Sequence, residues 1–303
     1  MTAISVETKP VGFADLAAIG VCTLAWGTTW FAITLQLGVV DPVVSIVYRF
    51  AIASALLFLW CILRGERVAL TPHQHAATVG TGLFTFGVNY AMVYWAEERV
   101  NSAVVAVVFA TLAFVNLILF RIIYRQRPPL LAWAGAGLGV AGVASLSWGE
   151  IAEAQHSPMA LAGLGLAFGS VVTAALGNVF ARRGEMAGAS VAPATAWGMA
   201  YGAAGLAAFA LATGKPWAFV FTPAYTLSLL YLAVVGSVVA FLLYFGLARR
   251  RGYATASYIS ALTPPLAMLV SSVFEAKHWG VTALGGVALV VSGQWLLLRS
   301  KRA

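Results

Sequence analysis

Polar and aromatic residues recur at helical spacing inside otherwise apolar stretches of this chain, and they are the residues best placed to do chemistry. Trp26, Thr29, Trp30 and Ile33 share one helical face, Gly82, Phe86, Asn89, Tyr90 and Val93 a second, and Ser237, Phe241, Tyr244 and Ala248 a third. Asn116, Asn178 and Tyr258 add two amides and a hydroxyl in other apolar runs. An amide in hydrocarbon costs several kcal/mol unless it finds a partner, so these groups must face protein or a water-filled cavity. For each Asn, an interhelical hydrogen bond and cavity lining stand as equal alternatives, and Trp26 and Trp30 fit a packing role as well. As a set, aromatic walls with a few neutral hydrogen-bonding groups suit a compact, partly apolar, zwitterionic solute. The expected cavity lining is Trp26, Trp30, Asn89, Tyr90, Asn116, Asn178, Tyr244 and Tyr258. A phosphorylated solute fits badly, because no Lys or Arg falls at the middle of an apolar run.

Arg49 is the one formal charge within an apolar run, about two turns from its end. It either snorkels to headgroups and caps backbone carbonyls, or stands at a cavity entrance where its fork can hold a carboxylate. Its depth favours an entrance role over a midplane anchor. No carboxylate lies in the central third of any run, and Asp15 and Glu275 sit at run ends. Proton- or sodium-coupled carriers usually keep an intramembrane acid, so direct coupling through a buried carboxylate is disfavoured. The enzyme motifs HExxH, GxxxxGK[ST], GxSxG and CxxC do not occur. His73, His75, His156 and His278 all fall in gaps, where solvated loop roles are expected, and Cys22 and Cys61 read as small buried hydrophobes. No catalytic residue, metal site or cofactor is expected. Gly82, Gly87, Pro264 and Pro265 break runs near their middles and serve either as hinges or as static bends.

The elements that carry these residues follow from composition. Ala, Val, Ile, Leu, Met, Phe, Trp, Tyr and Cys make up 61% of the 303 residues, only 9% are charged, and the mean hydropathy is +0.89. Soluble proteins carry roughly 25% charge, so a soluble enzyme, a disordered chain and a nucleic-acid-binding domain are excluded. The net charge of +8 sits in short gaps between apolar runs and marks topology. Crossing ~30 Å of hydrocarbon takes about 20 apolar residues, and ten runs qualify: Leu16–Gln36, Val43–Leu63, Ala76–Ala96, Val100–Phe120, Pro129–Trp148, Pro158–Ala181, Ser190–Thr213, Tyr225–Ala248, Tyr253–Phe274 and Trp279–Leu298. Continuous apolar runs of this length indicate helices rather than a barrel. One side of the membrane collects 14 Lys and Arg and the other 3, with Arg49 remaining, so both termini are expected in the cytoplasm. The N-terminal stretch Met1–Gly12 has no signal-peptide pattern.

The chain also repeats weakly at an offset of 151, with nine identities in 48 positions between Arg99 and Leu146, among them Gly135 with Gly286 and Gly142 with Gly293. Five helices per half is an odd number, so the second half enters the membrane inverted. The expected fold is an all-α polytopic membrane protein of ten transmembrane helices in two inverted five-helix repeats. A cytoplasmic segment (1–15) precedes the first repeat (16–148), a periplasmic linker (149–157) joins it to the second (158–298), and a cytoplasmic tail (299–303) follows.

With Ala25–Trp26–Gly27 in the first run, Arg49–Phe50 in the second, Ala254–Ser257 through Leu262–Pro265 to Glu275, and Gly285–Gly286 to Gly293, the chain resembles the EamA-type branch of the drug/metabolite transporter superfamily over essentially its whole length. Within that branch it looks most like the YddG-type exporters of aromatic amino acids. The resemblance implies efflux of aromatic and other neutral amino acids from a bacterial inner membrane through a cavity between the halves. In the first half Ala113–Phe114 replaces the proline pair and Tyr124 replaces Glu275, so bending at the ninth helix has no match in the fourth. The expected protein is therefore a monomeric, cofactor-free exporter working by alternating access, with an amino acid and the bilayer as its partners and no nucleic acid. The alternatives are a carrier of another small metabolite or drug and, with less support, a membrane-embedded lipid-modifying enzyme, which would need clustered acids or histidines at one interface.

Overall fold

A cap residue followed by proline opens four helices: Asp41–Pro42, Thr71–Pro72, Ser157–Pro158 and Thr222–Pro223. Each cap side chain accepts from a first-turn backbone N–H, and proline fits the first helical position, whose N–H has no intrahelical acceptor. The pair Thr71–Pro72 recurs 151 residues on as Thr222–Pro223.

The computed structural model describes residues 12–146, 148, 157–275 and 280–299, and all regular structure among them is helical. The elements are α1 (Phe13–Thr34), α2 (Pro42–Leu63), α3 (Pro72–Thr81), a π-helical segment (Gly82–Val88), α4 (Asn89–Glu97), α5 (Ser102–Phe109), α6 (Leu112–Tyr124) and α7 (Leu130–Leu146). The second half holds α8 (Pro158–Met186), α9 (Val191–Ala212), α10 (Pro223–Ala233), a second π-helical segment (Val234–Val239), α11 (Ala240–Arg251), α12 (Tyr253–Ala256), α13 (Tyr258–Phe274) and α14 (Val281–Arg299). Among the described residues, six helices are long and apolar enough to cross a bilayer: Phe13–Thr34, Pro42–Leu63, Ser102–Tyr124, Pro158–Met186, Val191–Ala212 and Pro223–Arg251. Leu130–Gly142, Ile259–Phe274 and Val281–Gly293 are shorter apolar helices. Large apolar side chains such as Leu16, Leu24, Leu63, Leu211 and Leu227 point outward, as a lipid-facing surface requires.

Packing runs mainly between the halves. α1 lies on α11 and α13, α8 on α3, α4, α5 and α6, α2 on α9, and α7 on α14. Exchanging first-half helices for their second-half counterparts maps each of these pairings onto another, or onto itself. The π-helical segments obey the same exchange, since they start 152 and end 151 residues apart. Such widened turns sit where a helix yields or where function is built.

Gly82 opens the first π-helical segment and Gly87 lies within it, whereas α13 runs through Pro264 and Pro265 without interruption. The irregularity in the ninth run falls instead at Ser257, between α12 and α13, and the fourth run breaks at Ala110–Thr111. Residues 1–11, 149–156 and 300–303 of the expected terminal segments and linker lie outside the described residues, as do His156, Lys277, His278, Trp279 and the side chain of Tyr258.

Candidate functional site

The first helix reaches the centre of the molecule because Gly27 lets it approach α13 closely. A Cβ at Gly27 would lie 2.5 Å from Cδ2 of Leu266, so any larger residue would push Trp26 and Trp30 away from the second half. In this arrangement α1, the α3–α4 unit, α5, α6, α8, α11 and α13 enclose a cavity of about 660 Å³, counted with its opening. Its lining includes Trp26, Trp30, Asn89, Tyr90, Asn178 and Tyr244 from the expected set. Thr29, Ile33, Val93 and Phe241, which share the same helical faces, line it as well. Residues from both halves contribute, and among the described residues no Asp, Glu, Lys, Arg or His lines it.

The walls are aromatic and interlocked. The Trp26 ring centroid lies 5.3 Å from those of Phe241 and Tyr244, and Trp30 lies 5.5 Å from Phe109. Tyr90 meets Phe50 edge-on at 4.8 Å. The polar atoms are largely spent inside the protein. Trp26 Nε1 donates to the Gly236 carbonyl (3.1 Å) and Asn89 Nδ2 to the Ser170 carbonyl (2.6 Å). Asn178 Nδ2 donates to the Tyr244 hydroxyl (3.0 Å) and to Asn116 Oδ1 (3.3 Å), and Asn116 Nδ2 donates to Ser257 Oγ (2.7 Å). Asn116 thus sits behind the lining and holds Asn178 in place. Ser257, at the break between α12 and α13, also donates its hydroxyl to the Tyr253 carbonyl (2.8 Å).

Arg49 is only 1% exposed. Its Nε donates to Ser237 Oγ (3.0 Å), and Ser237 donates in turn to the Leu232 carbonyl five residues back, a contact that the π-helical turn permits. The guanidinium lies 4.5 Å over the Tyr90 ring, its Nη2 reaches the Tyr90 hydroxyl at 3.5 Å, and Nη1 is buried without a hydrogen-bond partner. Phe50, at 5.2 Å, covers it further. Arg49 is therefore neither in the cavity lining nor snorkelled outward.

The two ends of the cavity differ in chemistry. At one end Tyr94 donates to Gln36 Oε1 (2.9 Å), and Asn101 and Ser102 donate to Glu275 (3.2 and 2.8 Å). Glu97, which the sequence places in a gap between runs, is buried there at 8% exposure with neither carboxylate oxygen hydrogen-bonded. At the other end Asp15 accepts from Arg250 Nε (3.1 Å) and Arg251 Nε (2.7 Å), and Tyr124 donates to the Val179 carbonyl (2.7 Å). His75 departs from its expected solvated loop role: it lies in α3, half-buried, with Nδ1 2.8 Å from the Tyr201 hydroxyl.

Thr85, Phe109, Leu112, Ala174, Ser260 and Thr263 also line the cavity. Ser260 and Thr263, three residues apart on α13, are hydroxyls at helical spacing and were detectable by that signal. Phe109, Leu112 and Ala174 carry no mark that separates them from packing residues.

The EamA-like transporter family model matches the chain twice, over residues 12–148 and 161–299. The uncharacterized inner membrane transporter YedA of Escherichia coli (strain K12) is 29% identical over 286 residues, covering 91% of this chain and 84% of YedA. Protein PecM of Dickeya dadantii (strain 3937) is 25% identical over 281 residues, covering 92% of this chain and 89% of PecM. A solved protein structure superposes with a TM-score of 0.72 at 20% identity, covering 95% of this chain and 98% of the other, a likeness of fold.

Proposed function

The chain belongs to the EamA-like transporter family and is a multi-pass inner-membrane transporter rather than an enzyme; on that premise we propose that it exports amino acids, aromatic and other neutral ones, by alternating access. The reading takes ten membrane-spanning helices in two inverted five-helix halves, both termini in the cytoplasm, and a monomer as the working unit. In it the Asp15 end of the cavity faces the cytoplasm and the Glu97 end the periplasm. The observation that carries it is the composition of the cavity between the halves: six lining aromatic residues (Trp26, Trp30, Tyr90, Phe109, Phe241 and Tyr244) beside a few neutral polar groups, without a charged lining residue among the described ones. Aromatic enclosure suits an aromatic side chain, and the missing cations disfavour phosphorylated solutes. The paired exchange of helix contacts and π-helical segments supports a rocking motion of one half against the other.

Liposomes holding the purified chain should take up labelled phenylalanine by counterflow without an imposed proton or sodium gradient. Uptake confined to an imposed proton gradient would refute the uncoupled form, and no uptake of any of a panel of labelled amino acids would refute the substrate class. Overexpression should also relieve the toxicity of an amino-acid analogue and leave the toxicity of a cationic dye unchanged.

A further inference from the structure

The hydrogen-bonding groups expected to receive a zwitterion are mostly committed elsewhere. Trp26, Asn89 and Asn178 spend their N–H groups on Gly236, Ser170, Tyr244 and Asn116. Trp30 Nε1 and Thr85 Oγ1 in the lining have no partner but carry no charge; the uncommitted charge lies one layer behind the wall. Arg49 Nη1 has no geometric hydrogen-bond partner, no carboxylate lies within ion-pair distance of Arg49 among the described residues although buried Glu97 is within electrostatic reach, and its other contacts are a serine hydroxyl, the Tyr90 and Tyr94 phenols and two ring faces. Burying a guanidinium with an empty N–H is costly unless an anion fills it in some state of the molecule.

The wall in front of that charge is thin at one place. A Cβ at Gly236 would lie 2.7 Å from the Thr29 methyl and 3.3 Å from Arg49 Nη2. Thr29 and Tyr90 line the cavity and Gly236 holds Trp26, so the missing side chain lets Thr29 close in beside the guanidinium and leaves only the Thr29 and Tyr90 side chains between it and the cavity. For a cation the described lining offers ring faces but no countercharge. No acid lines the cavity among the described residues, and Glu97, though buried nearby, is not in the lining.

We propose that Arg49 is the specificity-determining residue of this cavity, that it binds the carboxylate of the substrate when the Thr29 and Tyr90 side chains that cover it yield, and that the α-amino group is not recognised. The substrate class is then small monocarboxylates with an apolar or aromatic body, amino acids being one subset of it. A planar carboxylate matches the guanidinium fork, and a single free nitrogen among neutral neighbours suits one negative charge rather than two. The inference rests on the cavity's being the substrate site, as the exporter reading holds.

The test is binding of three probes to the full-length chain, read by quenching of tryptophan fluorescence and checked by counterflow: phenylalanine, 3-phenylpropanoate (no amine) and 2-phenylethylamine (no carboxylate). Wild-type protein should bind 3-phenylpropanoate within a few-fold of phenylalanine and 2-phenylethylamine at least tenfold more weakly, because a charge-assisted bond is worth about 1.5–3 kcal/mol. Arg49→Gln should weaken both carboxylates by about tenfold or more, and Gly236→Ala should do so with Arg49 intact. Equal binding of 2-phenylethylamine, or unchanged carboxylate binding in Arg49→Gln, would overturn the proposal. The probe comparison in wild-type protein decides the matter even if a variant fails to fold. The two readings separate cleanly. Binding of 3-phenylpropanoate without phenylalanine sinks the amino-acid reading alone, and the converse sinks this one alone.

Discussion

Replacing Gly202 by alanine tests whether the first π-helical segment is held by backbone contact. Gly202 lies on α9 against that segment, and a methyl added there would sit 2.6 Å from Phe86 Cβ, 2.8 Å from the Gly82 carbonyl oxygen and 3.0 Å from the Phe86 carbonyl carbon. None of these atoms is the far end of a flexible side chain. Phe86 has no room to retreat, because its fully buried ring is wedged edge-on between Phe50 at 5.2 Å and Phe241 at 4.8 Å. The helices must part by roughly 1 Å to restore normal contact, and overpacking of this kind costs about 1–3 kcal/mol. Alanine for glycine inside a helix recovers about 0.5–1 kcal/mol, so the net loss is of order 1–2 kcal/mol. The control is Gly20→Ala on α1, where nothing lies within 4 Å of the new methyl and only the gain applies. Thermal melts followed by fluorescence-detected size exclusion should place Gly202→Ala below wild type and Gly20→Ala at or above it. Trimming Phe86 to leucine should not rescue Gly202→Ala, because the obstruction is at Cβ and the backbone. If Gly202→Ala melts with or above Gly20→Ala, the two halves do not meet through close-packed backbone at this segment.

Three further perturbations address the ends and the floor of the cavity. Burial, with the Glu275 carboxylate adding to it and Arg49 opposing, pushes Glu97, one residue beyond the third expected run, well above the usual carboxylate range. A raised acid stabilises the fold below its unfolded value and loses that contribution as pH rises through the folded one; the melting temperature of wild type should therefore fall relative to Glu97→Gln as pH rises above the ordinary carboxylate range, and parallel melting curves would contradict it. Asn178→Leu leaves the Tyr244 hydroxyl and Asn116 Oδ1 without their donor. The loss should be about 1 kcal/mol by denaturant unfolding, and smaller in a Tyr244→Phe background. Asp15→Asn removes the negative charge that pairs with Arg250 and Arg251 at the α1 start and one of its two acceptor oxygens, and melts should show a loss of about 1 kcal/mol that shrinks in high salt.

The membrane-embedded framework was legible because continuous apolar stretches of helical length have few other uses, and every expected run falls mostly on helix over its described residues, with breaks at Ala110–Thr111 and Ser257 and unwound residues at several run ends. Trp26, Trp30, Asn89, Tyr90 and Tyr244 fell to one further signal, the 3.6-residue spacing that puts the polar and aromatic members of a helix on one side, and Asn178 to another, a lone amide in an apolar run. Gly82 was visible as a helix breaker, but the π-helical turn it opens was not, since the extra residue per turn leaves no mark in composition.

What spacing does not reveal is which polar groups neutralise one another. Asn116, Asn178, Tyr244 and Ser257 come from four different runs, and only folding decides that they bond to each other. Glu97 looks like a gap residue by position, and its burial depends on how the chain around Gln36 and Glu275 closes over it. Arg49 is the instructive case. Its sequence position, two turns from a run end, points to an entrance, yet a side chain about 6 Å long reaches well beyond its own backbone level. The hydroxyl it finds, Ser237, belongs to the opposite half and is turned toward it by a π-helical segment. Amides that look free are therefore engaged, and a charge that looks peripheral lies against the cavity wall. The chemistry of such a site is decided by the atoms left over after folding, and here the guanidinium is the charged one.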